Sequence, residues 1–225
     1  MAELRGDDAR HLTRVLRAGP GQVYEISDNR AAYLAEIAEA RGDRVVFRVL
    51  DPVESPALPA HITLCAALIK FDRFEWMVEK ATELGAERIL PVETAHSEKG
   101  LFAASAKRSP RWQRIAQESS QQSRRVQMPE ILPAGRFEQA LALEADHRFF
   151  LVETTAPPLL QVLPARRLPS DRVALMAGPE GGWTEAECAA AGAAGWQRAS
   201  LGPTILRAET AALAALAVVG VAWMP

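Results

Sequence analysis

Two glycine-containing segments in the C-terminal half of the chain carry residues that could bind a small molecule and act on it. The first reads VALMAGPEGGW over residues 173–183, and the second reads LGPTILRAET over residues 201–210. In each segment a run typical of a β-strand stops at a Gly-Pro pair, and a loop then leads into a helix. Loops at the carboxyl ends of neighbouring strands line one crevice, which is where open α/β sheets bind ligands. The pair therefore predicts a cofactor site.

The first loop offers bare backbone to a ligand. Gly178, Gly181 and Gly182 lack side chains there, but their spacing does not match the G-x-G-x-x-G dinucleotide fingerprint. Glu180 would repel a pyrophosphate, whereas a positively charged ligand would tolerate that carboxylate. A helix is expected to begin at Thr184, because a glutamate three residues later gives the spacing of a capping box. Taken by itself, this loop is more typical of an ordinary strand-to-helix turn.

The second loop places a cation at the start of a helix. A helix is expected over residues 208–221, which puts Arg207 at or near its first turn. A cation there opposes the helix dipole, so contact with an electron-rich substrate would explain the guanidinium. A salt bridge from Arg207 to Glu180 or Glu209 explains it equally well. The helix is apolar on all sides, which predicts that it is buried and indicates a subunit interface.

The pattern of elements changes near residue 55. The elements expected before that point are a helix over residues 11–17 and strands over residues 23–26, 33–37 and 45–50. Short strands separated by turn signals indicate a small β-rich module. Three prolines within residues 51–59 mark a linker. From residue 61 onward strands alternate with helices, which predicts an α/β domain with a mainly parallel sheet covered by helices.

Composition argues against several classes of protein. The net charge is −2, so the overall charge does not indicate nucleic acid. The two cysteines lie far apart, and the sequence has neither C-x-x-C nor a cluster with metal-ligand spacing, so we expect no disulfide framework and no metal. The apolar run at residues 211–224 is shorter than the roughly 20 residues of a membrane span. Without a recognisable signal peptide, we expect a cytoplasmic protein with no membrane partner.

Positive charge is concentrated in two places. Residues 107–125 hold six cations against a single acid, which fits a phosphate-binding stripe, although a solvated basic helix fits equally well. A smaller basic face lies near the N-terminus. The candidate RNA-binding residues are Arg10, Arg14 and Arg17 on the smaller face and Lys107, Arg108, Arg111, Arg114, Arg124 and Arg125 in the stripe.

The segments GPEGGWTEAE and LGPTILRAETA resemble signatures of the SPOUT-class ribosomal RNA methyltransferases. Within that class they are most similar to the RsmE family, which methylates N3 of a 16S rRNA uridine near the decoding centre. The segments FEWMVEKATELGAERILPVET and RWQRIAQESSQQSRRVQMPEI resemble the same family, so the similarity covers most of residues 61–225. HLTRVLR near the N-terminus is similar to the family's PUA-like RNA-binding domain.

This resemblance implies a two-domain enzyme. A PUA-like domain would occupy residues 1–55, and a SPOUT α/β domain with a trefoil knot would occupy residues 61–225. S-adenosylmethionine would be the cofactor, and 16S rRNA or the small ribosomal subunit would be the substrate. The resemblance also implies a homodimer whose active site is shared between subunits.

Two features depart from the family pattern. Members usually begin with a strand rich in Arg and Phe ahead of the first helix, whereas this chain begins Met-Ala-Glu, so we expect the small domain either to lack that strand or to be closed in another way. The loop after Pro91 often carries an arginine before the serine, whereas this chain has His96. A single histidine in a loop is more often a surface residue than a catalyst, so His96 is not assigned to the site.

The implied reaction transfers a sulfonium methyl group to uracil N3, which carries a proton at neutral pH. Arg207 is the candidate for stabilising charge on the flanking carbonyl oxygens. Glu180 or Glu209 is the candidate general base. For both residues the alternative role is capping or ion pairing, and for Glu209 that alternative is favoured. The expected cofactor contacts are Thr154, Met176, Ala177, Gly178, Gly181, Gly182, Leu201, Gly202, Thr204, Ile205 and Leu206.

Two other functions stay open at this point. Another SPOUT methylation, at a ribose 2′-hydroxyl or a different base, would use the same two loops. A non-enzymatic RNA-binding protein that keeps the fold is the more distant alternative. Identification of the methylated nucleoside separates the first alternative from uracil N3 methylation, and S-adenosylmethionine binding tests the second.

Overall fold

A four-stranded antiparallel sheet forms the N-terminal part of the computed structural model, in the order β1-β4-β3-β2. Its strands are β1 (Ala2–Arg5), β2 (Val23–Ser27), β3 (Ala32–Arg41) and β4 (Arg44–Val53). Between β1 and β2 lie helix α1 (Asp7–Arg10) and a π-helical turn (His11–Val15), so the helix predicted over residues 11–17 begins earlier than expected. Alternating side chains such as Ile37 and Phe47 fill a small core under the sheet.

The expectation that the first strand is absent is wrong. Strand β1 pairs antiparallel with β4, and Leu4 lies opposite Val45. Leu4 and Ala2 pack against the small core, whereas Glu3 and Arg5 are exposed. A strand of four residues with two charges has little pattern of its own. Its place is decided by the edge of β4, which offers backbone partners.

The chain divides into two compact units, residues 1–57 and residues 58–225, and the structure describes residues 1–54 and 58–224. The boundary expected near residue 55 therefore lies outside the described residues. The first residues of the expected linker belong to a strand instead, because β4 continues to Val53.

A mainly buried parallel sheet organises the second unit, in the order β11-β9-β10-β5-β6-β7, with β8 also paired to β6. Its strands are β5 (His61–Ala67), β6 (Arg88–Glu93), β7 (Glu130–Ile131), β8 (Gly135–Arg136), β9 (His147–Leu151), β10 (Arg172–Ala177) and β11 (Gln197–Ala199). Its helices are α2 (Phe71–Glu83), α3 (Leu101–Gln122), α4 (Phe137–Leu141), α5 (Leu159–Val162), α6 (Glu185–Ala193) and α7 (Ala208–Ala222). The predicted alternation of strands and helices over a parallel sheet is confirmed.

Helices cover both faces of this sheet, which explains the unbroken apolar runs of its central strands. Successive residues of β10 point to opposite sides. Leu175 packs into a core that contains Phe74 and Trp112, whereas Met176 packs into a second core with Phe150. The order of the strands places β10 next to β5, with β9 and β11 beyond it. The carboxyl ends of β9, β10 and β11 therefore lie together at one edge of the sheet.

Helix α7 packs against the protein on one face. Ala212, Leu216 and Val219 are fully buried, whereas Leu213 is half-buried and Val221 is 67% exposed. The expectation of burial on all sides is thus wrong for the single chain, because this unit supplies packing partners for one side of the helix. Across residues 1–54 and 58–224, no helix combines the length and the apolar character needed to cross a membrane.

Candidate cofactor and active site

The two glycine-containing loops lie against one cavity of about 350 Å³. Residues 178–183 follow β10, residues 201–207 lead into α7, and both segments contribute to the wall. Arg73 of α2 and the end of β9 complete the lining. The predicted cofactor residues found in this wall are Gly178, Gly182, Leu201, Gly202, Thr204, Ile205 and Leu206. The cavity lies where open α/β sheets bind ligands, beyond the carboxyl ends of the strands.

The first loop is fixed by an aromatic anchor. The indole Nε1 of Trp183 donates to the backbone oxygen of Leu151 at 2.8 Å, and its ring lies 4.5 Å from that of Phe150 between centroids. A Cβ atom at Gly178 would lie 2.9 Å from the anchored indole, closer than real Cβ contacts come. This position therefore requires glycine because of a close approach, in addition to any need to expose backbone.

A capping box holds the end of the first loop. Helix α6 begins at Glu185, one residue after the predicted start, and Thr184 is its N-cap, whose Oγ1 accepts from the backbone N–H of Glu187 at 3.2 Å. One carboxylate oxygen of Glu187 accepts from the N–H of Thr184 at 2.9 Å. The other accepts from the N–H of Ala95, also at 2.9 Å. The buried Glu187 carboxylate thus ties the loop after β6 to the start of α6.

His96, which sequence reasoning left outside the site, contacts the first loop. Its Nδ1 lies 2.9 Å from the backbone oxygen of Gly182, so the tautomer with a proton on Nδ1 donates a hydrogen bond. A Cβ atom at Gly181 would lie 3.1 Å from the Cβ of His96. The signal available in the sequence was its position three residues after the end of β6.

The second loop is open. Gly202 has a φ of +123°, a conformation that favours glycine, and no atom of the described residues lies within 4 Å of the position of a Cβ atom there. Ile205 is 80% exposed. Arg207 is the N-cap residue of α7 and is exposed at the cavity. This loop presents an apolar side chain and a guanidinium without burying either.

The candidate acids have different environments. Glu180 lines the cavity and forms an ion pair with Arg73, so its partner is an arginine of α2 and not Arg207. Glu209 lies in the first turn of α7 and is only 6% exposed. Among the described residues, its Oε2 has no hydrogen-bond partner. Glu209 is absent from the cofactor cavity wall and instead lines a neighbouring cavity together with Arg207.

Four predicted cofactor residues are not part of the cavity wall. Met176 and Ala177 are buried at the end of β10, and Gly181 faces His96. The hydroxyl of Thr154 accepts from Nη2 of Arg198 at 2.8 Å. Glu153, which precedes Thr154 just after β9, does line the cavity.

Several cations of the basic stripe have carboxylate partners. Arg111 lies 2.7 Å from Glu75 and Arg108 lies 3.5 Å from the same carboxylate, so both help to join α3 to α2. Arg114 pairs with Glu118 one turn further along α3, at 2.9 Å. Two more of the predicted RNA-binding residues, Lys107 and Arg124, are exposed.

Arg125, the last cation of the predicted stripe, makes its contacts inside the unit. Its guanidinium donates to the backbone oxygens of Thr82 and Ala86, which lie at the end of α2 and just beyond it. Burial lowers the pKa of Arg125, since the charged form loses contact with water. Arg125 therefore links the segment after α3 to the end of α2 inside this unit. In the N-terminal unit Arg10 pairs with an aspartate of α1, whereas Arg14 and Arg17 are exposed.

Residues 56–220 match the family described as RNA methyltransferase domain, and residues 4–50 match the family described as RNA methyltransferase PUA domain. The chain is 32% identical over 225 residues to the ribosomal RNA small subunit methyltransferase E of Bacillus subtilis. The aligned region covers 96% of this chain and 88% of that protein.

Solved structures agree over nearly the full length. Ribosomal RNA small subunit methyltransferase E from Neisseria gonorrhoeae, solved with bound S-adenosylmethionine, superposes with a TM-score of 0.88 at 32% identity, covering 99% of this chain and 92% of that one. A methyltransferase from Legionella pneumophila, also solved with S-adenosylmethionine, gives a TM-score of 0.87 at 28% identity, covering 98% and 91%. The chain belongs to the ribosomal RNA small subunit methyltransferase E family.

Proposed function

We propose that this protein transfers a methyl group from S-adenosylmethionine to N3 of a uridine in 16S rRNA. The observation that carries the proposal is the meeting of residues 178–183 and 201–207 around one cavity. Family membership supports the choice of reaction, and the Neisseria gonorrhoeae relative was solved with this cofactor. The substrate would be the small ribosomal subunit or its RNA, in the cytoplasm.

The lining of the cavity fits this cofactor. Leu151, Trp183 and Ile205 supply apolar surface suited to an adenine ring. The carboxylate of Glu153 supplies negative charge suited to a sulfonium or an ammonium group, whereas that of Glu180 is paired with Arg73. The glycines of the loops leave backbone groups within reach of polar atoms of a ligand.

The cofactor, when bound, supplies an electrophilic methyl group. The chain contributes position, because holding donor and acceptor near contact distance lowers the barrier by several kcal/mol, up to roughly 7–11 in well-oriented reactions. Arg207 lies at the cavity and can donate to a uracil carbonyl oxygen, where negative charge grows as N3 loses its proton. An arginine stays charged throughout this step.

RNA binding is proposed for exposed cations in both units. Arg14 and Arg17 of the N-terminal unit and Lys107 and Arg124 of the second unit are available to phosphates. Their contribution is electrostatic, so affinity for ribosomal RNA should fall steeply as salt is raised. The match of residues 4–50 to an RNA methyltransferase PUA domain supports a role of the N-terminal unit in RNA binding.

We also propose a homodimer in which a second copy covers the open face of α7. Leu213 and Val221 leave apolar surface on that face, and exposed apolar patches mark protein contacts. Val221→Glu should then shift the protein to a monomer in analytical ultracentrifugation. We propose in addition that the segment leading into α7 is threaded through a trefoil knot. This threading would bring the second loop beside the first.

The experiment that tests the reaction is the Arg207→Ala variant assayed on small ribosomal subunits from a deletion strain. Loss of a preorganised charge at the transition state lowers turnover by about 100- to 1,000-fold, with cofactor affinity nearly unchanged. Transfer of radiolabelled methyl groups measures the first quantity and titration calorimetry the second. The exposed Arg166 provides the control, since Arg166→Ala should leave both quantities unchanged. Full turnover in Arg207→Ala would remove Arg207 from the mechanism.

Nucleoside analysis tests the site of methylation. Mass spectrometry of 16S rRNA from the deletion strain should show loss of 3-methyluridine, and complementation with this chain should restore it. Loss of a 2′-O-methyl nucleoside would replace the proposed reaction with ribose methylation.

A further inference from the structure

A second cavity of about 350 Å³ adjoins the cofactor cavity where α2 meets α7. Its wall consists of Asp72, Arg73, Trp76, Arg207, Glu209 and Thr210. Arg73 and Arg207 line both cavities, so a molecule in the second cavity would lie next to the cofactor. The volume lies within the range of small-molecule sites.

Glu209, in the wall of this cavity, carries a buried carboxylate oxygen that lacks a hydrogen-bond donor among the described residues. Its side chain is more than nine-tenths buried, and Oε2 has no hydrogen-bond partner in the part of the chain that the structure describes. A buried carboxylate oxygen left without a donor costs free energy. A ligand that brings an N–H into the cavity would satisfy it.

The remaining side chains complete a pattern. The edge of uracil around N3 presents an acceptor, a donor and an acceptor, namely O4, the N3–H and O2. Glu209 supplies an acceptor, and the guanidinium groups of Arg73 and Arg207 supply donors. Trp76 is 45% exposed and offers a ring face on which a base can stack. Cytosine fits less well, because its unprotonated N3 would face the carboxylate.

We propose that the second cavity binds the target uracil, with Glu209 accepting the N3–H, Arg207 and Arg73 donating to the carbonyl oxygens, and Trp76 stacking on the base. This inference rests on the proposed function and assigns the base to a place in the structure. The ion pair with Glu180 holds Arg73 at the boundary between the two cavities.

The step balances in charge and in atoms. A bond forms between uracil N3 and the methyl carbon as the bond between that carbon and sulfur breaks. The N3 proton passes to the carboxylate of Glu209. A sulfonium and a carboxylate become a neutral thioether and a carboxylic acid, while the base is neutral before and after. Glu209 then returns its proton to solvent once the product leaves.

Nucleotide binding to the full chain tests the assignment apart from turnover. The protein, saturated with S-adenosylhomocysteine, is titrated with uridine, 3-methyluridine and cytidine 5′-monophosphates, and binding is followed by ligand-observed NMR. We expect the uridine nucleotide to bind at least about fivefold more tightly than the other two, the effect of one hydrogen bond. Equal affinities, or no binding of the uridine nucleotide, would overturn the inference.

Variants of Glu209 separate recognition from proton transfer. Glu209→Ala should abolish the preference for uridine. Glu209→Gln keeps an amide oxygen that can accept the N3–H but cannot take the proton, so it should keep the preference and lose methyl transfer by about 100-fold or more. Glu185→Ala, which removes an exposed first-turn glutamate of α6, is the matched control and should behave as wild type. A Glu209→Ala variant that still prefers uridine would overturn the inference.

Trp76 supplies an independent measure. Trp76→Ala should weaken all three nucleotides alike, by about 5- to 100-fold, and Trp76→Phe should restore much of the affinity. Unchanged affinity in Trp76→Ala would remove the stacking contact. Binding of S-adenosylhomocysteine keeps the two proposals apart. If wild type fails to bind it, the proposed function is wrong, whereas binding without uridine preference leaves that function and rejects the second cavity as the base site.

Discussion

The two loops of the cofactor cavity are built in opposite ways. Hydrogen bonds to several parts of the unit hold the first loop in place. Trp183 bonds to the end of β9, Glu187 accepts from the loop after β6, and His96 contacts the backbone of Gly182. The second loop has open space at Gly202, and most of its surface is exposed. A preformed wall reduces the ordering cost of binding, whereas an open wall can admit a ligand and close on it. We therefore expect the first loop to set the position of the cofactor and the second to respond to it.

Gly178→Ala should have the largest effect on this arrangement. The new Cβ atom would lie 2.9 Å from the Trp183 indole, which is anchored and must shift. Overpacking of this kind costs about 1–3 kcal/mol of unfolding free energy, and we expect cofactor affinity to fall more than tenfold. Urea denaturation and titration calorimetry measure the two effects.

A second glycine provides the control for that substitution. Gly192 lies in α6 with nothing within 4 Å of a Cβ position, so Gly192→Ala should be neutral or stabilise by up to about 1 kcal/mol. If the two variants were equally stable and bound the cofactor equally well, the first loop would not be a fixed wall.

Glu187→Ala should rank second in its effect on cofactor binding, because Glu187 does not line the cavity and its loss acts through stability. It leaves the N–H of Ala95 without its acceptor and removes the capping box of α6. Hydrogen bonds to charged groups contribute about 1.5–3 kcal/mol each to stability, and we expect a loss of about 2–3 kcal/mol in thermal or urea unfolding. Glu185→Ala, in the same turn but exposed, should stay within about 0.5 kcal/mol of wild type. Equal losses in the two variants would show that the carboxylate does not join the loops.

His96→Ala should have a smaller effect. The substitution removes one hydrogen bond to Gly182 and a contact with Gly181. A neutral hydrogen bond contributes about 0.5–1.5 kcal/mol, so cofactor affinity should fall about two- to tenfold in calorimetry. Retention of full affinity would return His96 to the surface role that the sequence suggested.

Ile205→Ala should have the smallest effect on stability, because the side chain is 80% exposed in the second loop. We expect the unfolding free energy to stay within about 0.5 kcal/mol of wild type. Cofactor affinity should still fall several-fold, because each buried methylene contributes about 0.8 kcal/mol once a ligand covers the residue. A large loss of stability would mean that the second loop is as firmly packed as the first.

The contrast between the loops also shows what the sequence could predict. The start of α6 after Thr184 and the start of α7 after Arg207 follow from spacing within a few residues. Contacts between distant positions do not. Arg73 meets Glu180 across 107 positions, and His96 meets the first loop across 86. The strand order brings these segments together, and no local pattern records it.

Two further outcomes have the same cause. The sequence places Arg125 in a predicted phosphate-binding stripe, but its guanidinium donates to backbone oxygens at the end of α2. Strand β1 was missed because its four residues need β4 to define them. Charge and periodicity predicted the elements, and tertiary packing decided which side chains remained available at the surface.

Hydrogen exchange with and without S-adenosylmethionine tests the central claim most directly. In the free protein, the hydrogen-bonded amides of Gly182, Thr184 and Glu187 should exchange slowly and the amides of residues 202–207 quickly. Addition of the cofactor should slow exchange in both segments over the same range of concentration, with the larger change in the second. Protection of one segment alone, or of neither, would contradict the account that both loops hold one methyl donor.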